Sequence, residues 1–277
     1  MISITILIDN YIKVQDLVAE HGLSYLIEAD GKKILFDTGQ SRNFMDNAAI
    51  MGLDLKEIDC IAISHGHYDH TGGLSDLLDH IDKEINIYAH PDIFDEKFAK
   101  ISDISEKDNY RYIGIPYKKE DLEQKKAKFV FQKNAVELAE DVFLMGEIED
   151  TINTNNFFIK KEGFYLSDRL LDDNSIFIQA KDASILLLGC AHSGILNILQ
   201  KVESEYNIDT GLVIIGGLHL VGLNRSSIKE IADKIDKYDI KKIIPCHCTG
   251  ITGYEVLKEV FGQRCVMGEV SKVFISD

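Results

Sequence analysis

The feature that most constrains the fold is a run of metal-binding residue types between a buried strand and a helix. Residues 64–73 read SHGHYDHTGG, which places three imidazoles and one carboxylate within six residues: His65, His67, Asp69 and His70. The apolar run 58–64 predicts a short buried strand, and apolar residues recur at helical spacing over 71–82. A chain that folds in this way holds all four side chains on the turn between these two elements.

The residue types of this turn are those that bind divalent metals. Imidazole nitrogen and carboxylate oxygen are ligands of zinc and similar ions. Alternate residues of an extended turn project in the same direction, so His65 and His67 are predicted to share one ion while Asp69 and His70 face a second. The sequence therefore predicts a site for two divalent ions, with zinc as the expected metal and manganese or iron as alternatives.

Three further histidines directly follow predicted strands. His192 lies in GCAHSG after strand 184–188, His219 lies in GGLHL after strand 211–215, and His247 lies in PCHCTG after strand 242–244. In sheets with βα crossovers, functional groups collect beyond the carboxyl ends of the strands. We therefore predict that His192 and His247 are metal ligands. For His219, a role in proton transfer is weighed against direct ligation.

The remaining histidines and the cysteines give weaker signals. Free cysteine is more often a small buried side chain than a ligand, so Cys190 stays open between packing and ligation, and core packing is predicted for Cys246 and Cys248. Five cysteines in 277 residues do not make a dense disulfide framework, and a reduced, cytoplasmic setting is the expectation. The other histidines are interpreted as ordinary surface or core residues: His21, His80 and His90.

The order of the predicted elements indicates an α/β protein. Strands dominate the first part of the chain, whereas strands alternate with helices at 194–204, 227–238 and 254–260. This combination predicts a mixed sheet with helices outside it. Charges crowd together over 92–128, and apolar periodicity weakens there. A solvated helical insertion and a functional lid or dimer arm are both open for that segment.

The net charge excludes two classes of partner. Lys and Arg total 30 against 46 Asp and Glu, which gives a charge of −16. Such a field repels nucleic-acid phosphates and anionic membrane surfaces, so neither is an expected partner. A small phosphorylated substrate is still compatible, because the local charge of bound metal can outweigh a diffuse acidic surface. The apolar start, residues 1–9, is too short to span a bilayer and predicts a first strand.

With these residues in view, the chain resembles the metallo-β-lactamase superfamily, whose hallmark is His-x-His-x-Asp-His. Further segments resemble its branch named for dihydropterin-methyl-ribofuranosylaminobenzene 5′-phosphate synthase: EHGLS at 20–24, LFDTG at 35–39, GCAHSG at 189–194, GGLHL at 216–220 and PCHCTG at 245–250. The resemblance implies one domain over 1–277, folded as a four-layer αββα sandwich of mixed sheets with metals at one edge between the sheets.

The resemblance also implies two ligand sets by motif position: His65, His67 and His192 for one ion, and Asp69, His70 and His247 for the other. Many members of the superfamily have a bridging Asp after a Gly in the strand that leads to the late part of the site. This chain has Gly189-Cys190 there. The identity of the bridging ligand therefore stays open.

The predicted activity is hydrolysis of a small ester, thioester, lactone or phosphoester by metal-activated water, since a divalent ion lowers the pKa of bound water from about 16 to about 7. We expect Asp69 to orient or deprotonate the nucleophile and His219 to transfer a proton. Asp37 is interpreted either as an acceptor for a ligand histidine or as a turn residue. A small-molecule substrate is the expected partner, and a homodimer is the expected assembly.

Two alternative functions stay open. In the first, the protein condenses a phosphorylated pterin precursor with an aryl ribose phosphate, and the candidate phosphate anchors are Arg42, Arg111, Arg169 and Arg225. In the second, it is an iron-containing redox or ligand-binding protein. Related di-iron sites favour a carboxylate where this chain has His67, which argues against the second alternative.

Overall fold

The computed structural model describes residues 1–101, 109–148 and 156–276. The strands in these ranges are β1 Ile2–Ile8, β2 Ser24–Ala29, β3 Lys32–Phe36, β4 Cys60–Ala62, β5 Ile85–Ala89, β6 Lys97–Ile101, β7 Asn109–Tyr112, β8 Ala127–Phe131, β9 Val136–Ala139, β10 Val142–Leu144, β11 Phe157–Lys161, β12 Phe164–Ser167, β13 Ser175–Ile178, β14 Ser184–Leu188, β15 Leu212–Gly217, β16 Ile240–Cys246 and β17 Val273–Ser276. The helices are α1 Asn43–Ile50, α2 Tyr68–Thr71, α3 Leu74–Ile81, α4 Lys119–Gln124, α5 Ile195–Glu205, α6 Arg225–Ile235 and α7 Gly250–Phe261. Among the described residues, no helix is long and apolar enough to cross a membrane.

Two large sheets form the body of the protein, and both are mixed. The seven-stranded sheet has the order β17-β1-β2-β3-β4-β5-β8, and the six-stranded sheet has the order β16-β15-β14-β13-β10-β9. In the first, β3, β4, β5 and β8 run parallel to one another. In the second, β14, β15 and β16 do so, and the remaining pairs in both sheets are antiparallel. The predicted mixed sheets are confirmed.

The sheets face each other, and helices cover their outer faces. The inner layer joins side chains of both sheets, including Tyr25, Phe36, Ile176 and Ile215. Helices α1, α3 and α4 pack on the outside of the seven-stranded sheet, and α5, α6 and α7 pack on the outside of the six-stranded one. Fully burying each Leu or Ile side chain stabilises the fold by about 1.5–3 kcal/mol. The layer order is αββα, which confirms the predicted fold class.

Helix α3 shows how the sequence fixes this packing. Its apolar residues at i, i+3, i+4 and i+7 form one stripe, and all four are buried: Leu74, Leu77, Leu78 and Ile81. The helix ends at Asp82, which adopts the left-handed conformation with φ of 45°. The following chain turns back directly into the parallel strand β5.

The structure corrects the helical expectation for residues 92–128. The described part of this segment contains β6, β7 and the start of β8, the end of a 3-10 helix at Pro91–Phe94 and one α-helix, the six-residue α4, while residues 102–108 lie outside the described residues. Strands β6 and β7 belong to a small antiparallel sheet with the order β12-β11-β6-β7. Since β6 pairs with β11, which starts at Phe157, the pairing joins segments too distant in sequence for local periodicity to show it.

The fold brings several strand ends to one edge between the two large sheets. Strands β3 and β4 are parallel neighbours and end just before Asp37 and Ser64. Across the sandwich, β14, β15 and β16 are parallel neighbours and end at or just before Gly189, Gly217 and His247. The segments that the sequence singled out therefore meet at this edge.

Candidate metal centre

The turn after β4 lies in the interior of the protein. His65 and His70 are fully buried, and His67 and Asp69 are 5% and 7% exposed. The backbone is pinned at Gly66, where an added Cβ would lie 2.1 Å from the carbonyl oxygen of Ile93. Only glycine fits such an approach.

The first predicted ligand set is brought together. Nε2 of His65 lies 3.0 Å from Nδ1 of His67, close to the roughly 3.3 Å that separates two nitrogen ligands of one tetrahedral zinc ion. The ring of His192 lies 4.7 Å from that of His65 and 4.8 Å from that of His67, centroid to centroid. These three imidazoles can therefore surround a single ion.

The second predicted set also converges. Oδ2 of Asp69 lies 3.4 Å from Nε2 of His247 and 3.9 Å from Nε2 of His70. The rings of His70 and His247 are 5.0 Å apart. Both histidines are buried, so the three donors face one another below the protein surface.

Several imidazole nitrogens in this cluster are buried without hydrogen bonds. In the described part of the chain, no hydrogen-bond partner reaches Nε2 of His67, either ring nitrogen of His192, or Nε2 of His247. A buried polar atom left in this state is costly, and it usually marks a ligand site or an ordered water. The residues fit bound metal, because ions at the two donor sets would satisfy one ring nitrogen of His192 and Nε2 of His247.

The protonation states of the three histidines in the first donor set support the same conclusion. Burial lowers the pKa of His65 and His192 well below the usual range, and it lowers the pKa of His67 to about 3. These rings are therefore neutral at physiological pH. The neutral imidazole is the form that binds a metal ion.

Three ligand candidates have their δ nitrogens held from outside the cluster. The contacts are Nδ1 of His70 with Oδ2 of Asp37 at 2.7 Å, Nδ1 of His65 with Oγ of Ser64 at 2.9 Å, and Nδ1 of His247 with Oδ1 of Asn10 at 2.9 Å. Each contact leaves the ε nitrogen to face the cluster. Partners of this kind fix the orientation and tautomer of a ligand histidine. Asp37 has both of its predicted roles, because it also forms a turn with φ of 62°.

An acidic loop that the sequence analysis did not single out supports both ligand segments. Oδ2 of Asp172 accepts a hydrogen bond from the backbone N–H of Gly66 at 2.8 Å. Asp173 accepts hydrogen bonds from the backbone N–H and the hydroxyl of Ser193, at 2.8 and 2.6 Å. Two consecutive carboxylates thus fix the loop before His67 and the loop after His192.

The buried ammonium of Lys97 neutralises part of the negative charge of this acidic loop. Its Nζ lies 2.8 Å from Asp172 and 3.0 Å from Asp168, and the lysine is 1% exposed. Burial lowers the pKa of Lys97, but the two carboxylates outweigh burial and raise it above its ordinary value. Strand β6 of the small sheet is therefore tied electrostatically to the loop that carries the candidate ligands.

His219, predicted as a proton-transfer residue or ligand, lies beside the first ligand set. Its ring centroid is 4.3 Å from that of His192. Phe157 of β11 covers both rings, at 5.1 Å from His192 and 5.8 Å from His219. His219 therefore lies against the wall of the site next to the first set, on the side that Phe157 covers.

His21 belongs to the site, although the sequence analysis interpreted it as an ordinary histidine. Its Nε2 lies 3.1 Å from Oδ2 of Asp69, and its ring lies 5.1 Å from that of His247. The hydrogen bond to Asp69 raises the pKa of His21. The side chain is 52% exposed, so it joins the buried carboxylate to solvent. His21 lies in the EHGLS motif, which could have indicated it. No predicted strand ends just before it, so the pattern that identified the other site histidines did not apply.

The remaining histidines and cysteines have other contacts. His80 is exposed on α3, and Nδ1 of His90 accepts a hydrogen bond from the backbone N–H of Asp92 at 3.1 Å. Sγ of Cys246 lies 3.4 Å from the hydroxyl of Tyr25 in the layer between the sheets. Cys190, by contrast, has its sulfur 3.2 Å from Nε2 of His70.

Two cavities adjoin the cluster. One of about 510 Å³ opens over the candidate metal ligands, and one of about 320 Å³ lies beside it with an apolar lining. They share four lining residues: Phe157, His192, His219 and Val221. Of the residues that the structure describes, no Lys or Arg lines either cavity.

The fold and the donor set define a class of protein: an αββα sandwich with a histidine-rich centre at the edge between its sheets. The family model of the metallo-beta-lactamase superfamily matches residues 17–151. Together with the relatives below, this match shows that the chain belongs to the metallo-β-lactamase superfamily, whose members depend on metal.

Individual relatives refine the placement. The chain is 32% identical over 257 residues to 7,8-dihydropterin-6-methyl-4-(beta-D-ribofuranosyl)-aminobenzene-5′-phosphate synthase of Methanocaldococcus jannaschii, covering 88% of this chain and 85% of that protein. It is also 32% identical to an uncharacterized protein of the same organism, over 98% of each chain. A solved structure described as a metal-dependent hydrolase of the beta-lactamase superfamily is 27% identical and superposes over 100% of both chains with a TM-score of 0.85. The resemblance seen in the sequence motifs is confirmed.

Proposed function

We propose that this protein is a hydrolase that uses two divalent ions, with zinc as the expected metal, to cleave a small ester, thioester, lactone or phosphoester. The observation that carries this proposal is the pair of converging donor sets at the base of a cavity of about 510 Å³. The unpartnered ring nitrogens of His192 and His247 support the presence of bound metal. The 27% identity to a metal-dependent hydrolase over the full chain supports the reaction class.

The chemistry of such a centre divides between the metal and the protein. A bound divalent ion lowers the pKa of water from about 16 to about 7 and polarises the oxygen of an ester or phosphoryl group. Asp69 has one carboxylate oxygen 3.1 Å from Nε2 of His21, so a proton taken from the attacking water passes through Asp69 to His21 and then to solvent. His219 lies between the two cavities, where it can donate a proton to the leaving group.

The cavity linings favour a substrate with an apolar part. Tyr11, Ile113, Phe157 and Ile251 line the cavity over the metal-binding residues, and the smaller cavity is also mainly apolar. Two of the four arginines weighed as phosphate anchors form ion pairs on the protein surface. Arg225 pairs with Glu255 and Glu259 on the surface, and Arg42 pairs with Asp46 on α1. A carboxylic ester, thioester or lactone with an apolar substituent fits this lining better than a doubly phosphorylated substrate.

A second candidate is condensation of a phosphorylated pterin precursor with an aryl ribose phosphate. The 32% identity to the synthase of Methanocaldococcus jannaschii over 88% of this chain favours it. The two adjoining cavities would also give room for two ring systems. The third possibility from the sequence, iron-based redox chemistry, is supported by no observation of this kind.

The test is metal analysis of the purified full chain, run beside a panel of lactone, thioester, carboxylic ester and phosphodiester substrates and beside the pair of pterin diphosphate and aryl ribose phosphate. The proposal predicts about two equivalents of zinc or manganese and turnover of at least one substrate class. His67→Ala, with its ligand imidazole removed, should abolish that turnover. Two equivalents of metal with turnover only of the pterin diphosphate and aryl ribose phosphate pair would favour the synthase candidate. Iron as the bound metal, or no bound metal, would contradict the hydrolase proposal.

A further inference from the structure

We infer that the sulfur of Cys190 is a metal ligand that bridges the two ion positions. This inference rests on the proposed function, since it assumes that both donor sets bind metal. It adds a seventh ligand to the six histidine and aspartate side chains predicted from the sequence motifs. It also assigns a soft sulfur donor to a centre that otherwise has only nitrogen and oxygen ligands.

The position of Cys190 between the two donor sets carries the inference. Ligand atoms of His65, Cys190 and His192 all lie within 4.8 Å of one another, and so do those of His70, Cys190 and His247. Of the described residues, Cys190 alone belongs to both groups. One sulfur atom thus lies within reach of an ion in either set.

The shortest contact has the distance expected for two ligands of one ion. Sγ of Cys190 lies 3.2 Å from Nε2 of His70. With metal–sulfur bonds of about 2.3 Å and metal–nitrogen bonds of about 2.0–2.1 Å, the two atoms would be separated by about 3.5 Å around a tetrahedral ion. The ring nitrogen of His70 that faces the sulfur is also the one that Asp37 leaves free, because Asp37 binds Nδ1.

The surroundings of Cys190 do not suit a cysteine that only fills space. Its side chain is 3% exposed, and its polar neighbours include the buried nitrogens of His192 and His247 that no described residue satisfies. A thiol is a weak donor with one hydrogen and cannot satisfy both. One ion in each donor set, both beside the sulfur, would satisfy these nitrogens and the sulfur together.

The charge of the centre also calls for a second anion. Two divalent ions carry four positive charges, and Asp69 is the one anionic side chain in the two ligand sets as predicted. Thiols that coordinate a metal are deprotonated outright. Cys190 therefore adds a negative charge midway between the ions, where it offsets the repulsion between them.

The backbone holds Cys190 in this place. An added Cβ at Gly189 would lie 2.4 Å from Oγ of Ser64, so the end of β14 is pressed against the residue that precedes His65. The carbonyl of Gly189 accepts a hydrogen bond from the backbone N–H of Gly217 at 3.2 Å. The two large sheets thus meet at Gly189, and Cys190 follows at the junction.

Cys248 is the alternative source of sulfur. It shares a third group of close donors with Cys190 and His219. However, its Sγ is directed at the carbonyl oxygen of Cys190 at 3.6 Å, and it belongs to neither of the groups that join Cys190 to the predicted histidine ligands. A Cys248 variant therefore discriminates between the two sulfurs.

X-ray absorption at the cobalt edge, with the full-length protein loaded with two equivalents of Co²⁺, tests the inference. The wild-type protein should show one sulfur neighbour per cobalt at about 2.3 Å, together with near-ultraviolet sulfur-to-cobalt charge-transfer absorption. Both signals should be lost in Cys190→Ser and kept in Cys248→Ser. Cys265→Ser, at a cysteine buried in the outer helical layer, is the matched control and should keep both.

Each contrary outcome has a distinct meaning. Sulfur signals that persist in Cys190→Ser, or that vanish in Cys248→Ser alone, would overturn the assignment to Cys190. One sulfur per two cobalt ions would overturn the bridge. Two bound cobalt ions without sulfur would overturn the inference and leave the proposed function intact, whereas absence of cobalt binding would overturn both. Cys190→Asp guards against misfolding of the serine variant, because its carboxylate should keep two metal equivalents without the sulfur signals.

Discussion

Nδ1 of His70 lies 2.7 Å from Oδ2 of Asp37, and neither side chain is exposed to solvent. The other oxygen of the same carboxylate accepts the backbone N–H of Ser64 at 2.7 Å, one residue before His65. A single carboxylate at the end of β3 thus orients one ligand candidate and anchors the start of the turn that carries the other candidates. A substitution of Asp37 that keeps the turn should therefore change metal binding without disrupting the turn.

Asp37→Asn should weaken metal binding about 10- to 100-fold, because an amide oxygen polarises the His70 ring less than a carboxylate does. Asparagine tolerates the left-handed backbone at this position, so the turn should survive. Competition with a chromophoric chelator measures the affinity. Asp30→Asn is the matched control, since Asp30 is exposed with φ of 49° in the β2–β3 turn. Equal affinities of the two variants would contradict the role assigned to Asp37.

Lys97→Met should destabilise the protein by about 3–5 kcal/mol, since it leaves the buried carboxylates of Asp168 and Asp172 without their cation. Urea unfolding followed by circular dichroism measures the change. Lys128→Met removes an ammonium from an exposed pair with Glu84 and should change the free energy of unfolding by less than about 0.5 kcal/mol. A similarly small change in the free energy of unfolding for Lys97→Met would show that the ion pairs of Lys97 with Asp168 and Asp172 do not stabilise the fold.

Phe157→Ala should raise KM for substrates with an apolar substituent while changing kcat less, because the ring lines both cavities and carries no group that transfers a proton or binds metal. Steady-state kinetics with matched polar and apolar substrates measure the changes in KM and kcat separately. Phe158 follows on the opposite face of β11 and packs on Tyr110, with centroids 5.1 Å apart, so Phe158→Ala should leave KM unchanged. A loss of kcat alone in the Phe157 variant would contradict this account of the cavities.

Metal-depleted protein should lose stability as the pH falls below about 6.5. Burial lowers the pKa of His67 to about 3, so between these values the unfolded chain binds a proton that the folded chain excludes, and protonation favours unfolding. Thermal unfolding of the metal-depleted protein across this pH range measures the slope. His67→Gln should make the slope shallower. A stability that rises as the pH falls would contradict the burial of neutral imidazoles.

The sequence predicted those parts of the fold and site whose signals are local. The apolar stripe of α3 can be predicted from the sequence because the helix buries one face. The histidines after β4, β14 and β16 can be predicted because a strand end precedes each of them. The β6–β11 pairing left no such trace, since its partners are far apart in sequence. Asp172 and Asp173 act on backbone N–H groups of distant loops, which residue spacing does not reveal.

The central claim is that two donor sets at one sheet edge bind two metal ions. Elemental analysis of dialysed full-length protein after addition of excess Zn²⁺ tests it most directly. We predict two equivalents in the wild type, about one in His192→Ala and in His247→Ala, and loss of most bound metal in His67→Ala. Fewer than two equivalents in the wild type, or full retention of both ions by His67→Ala, would contradict the account.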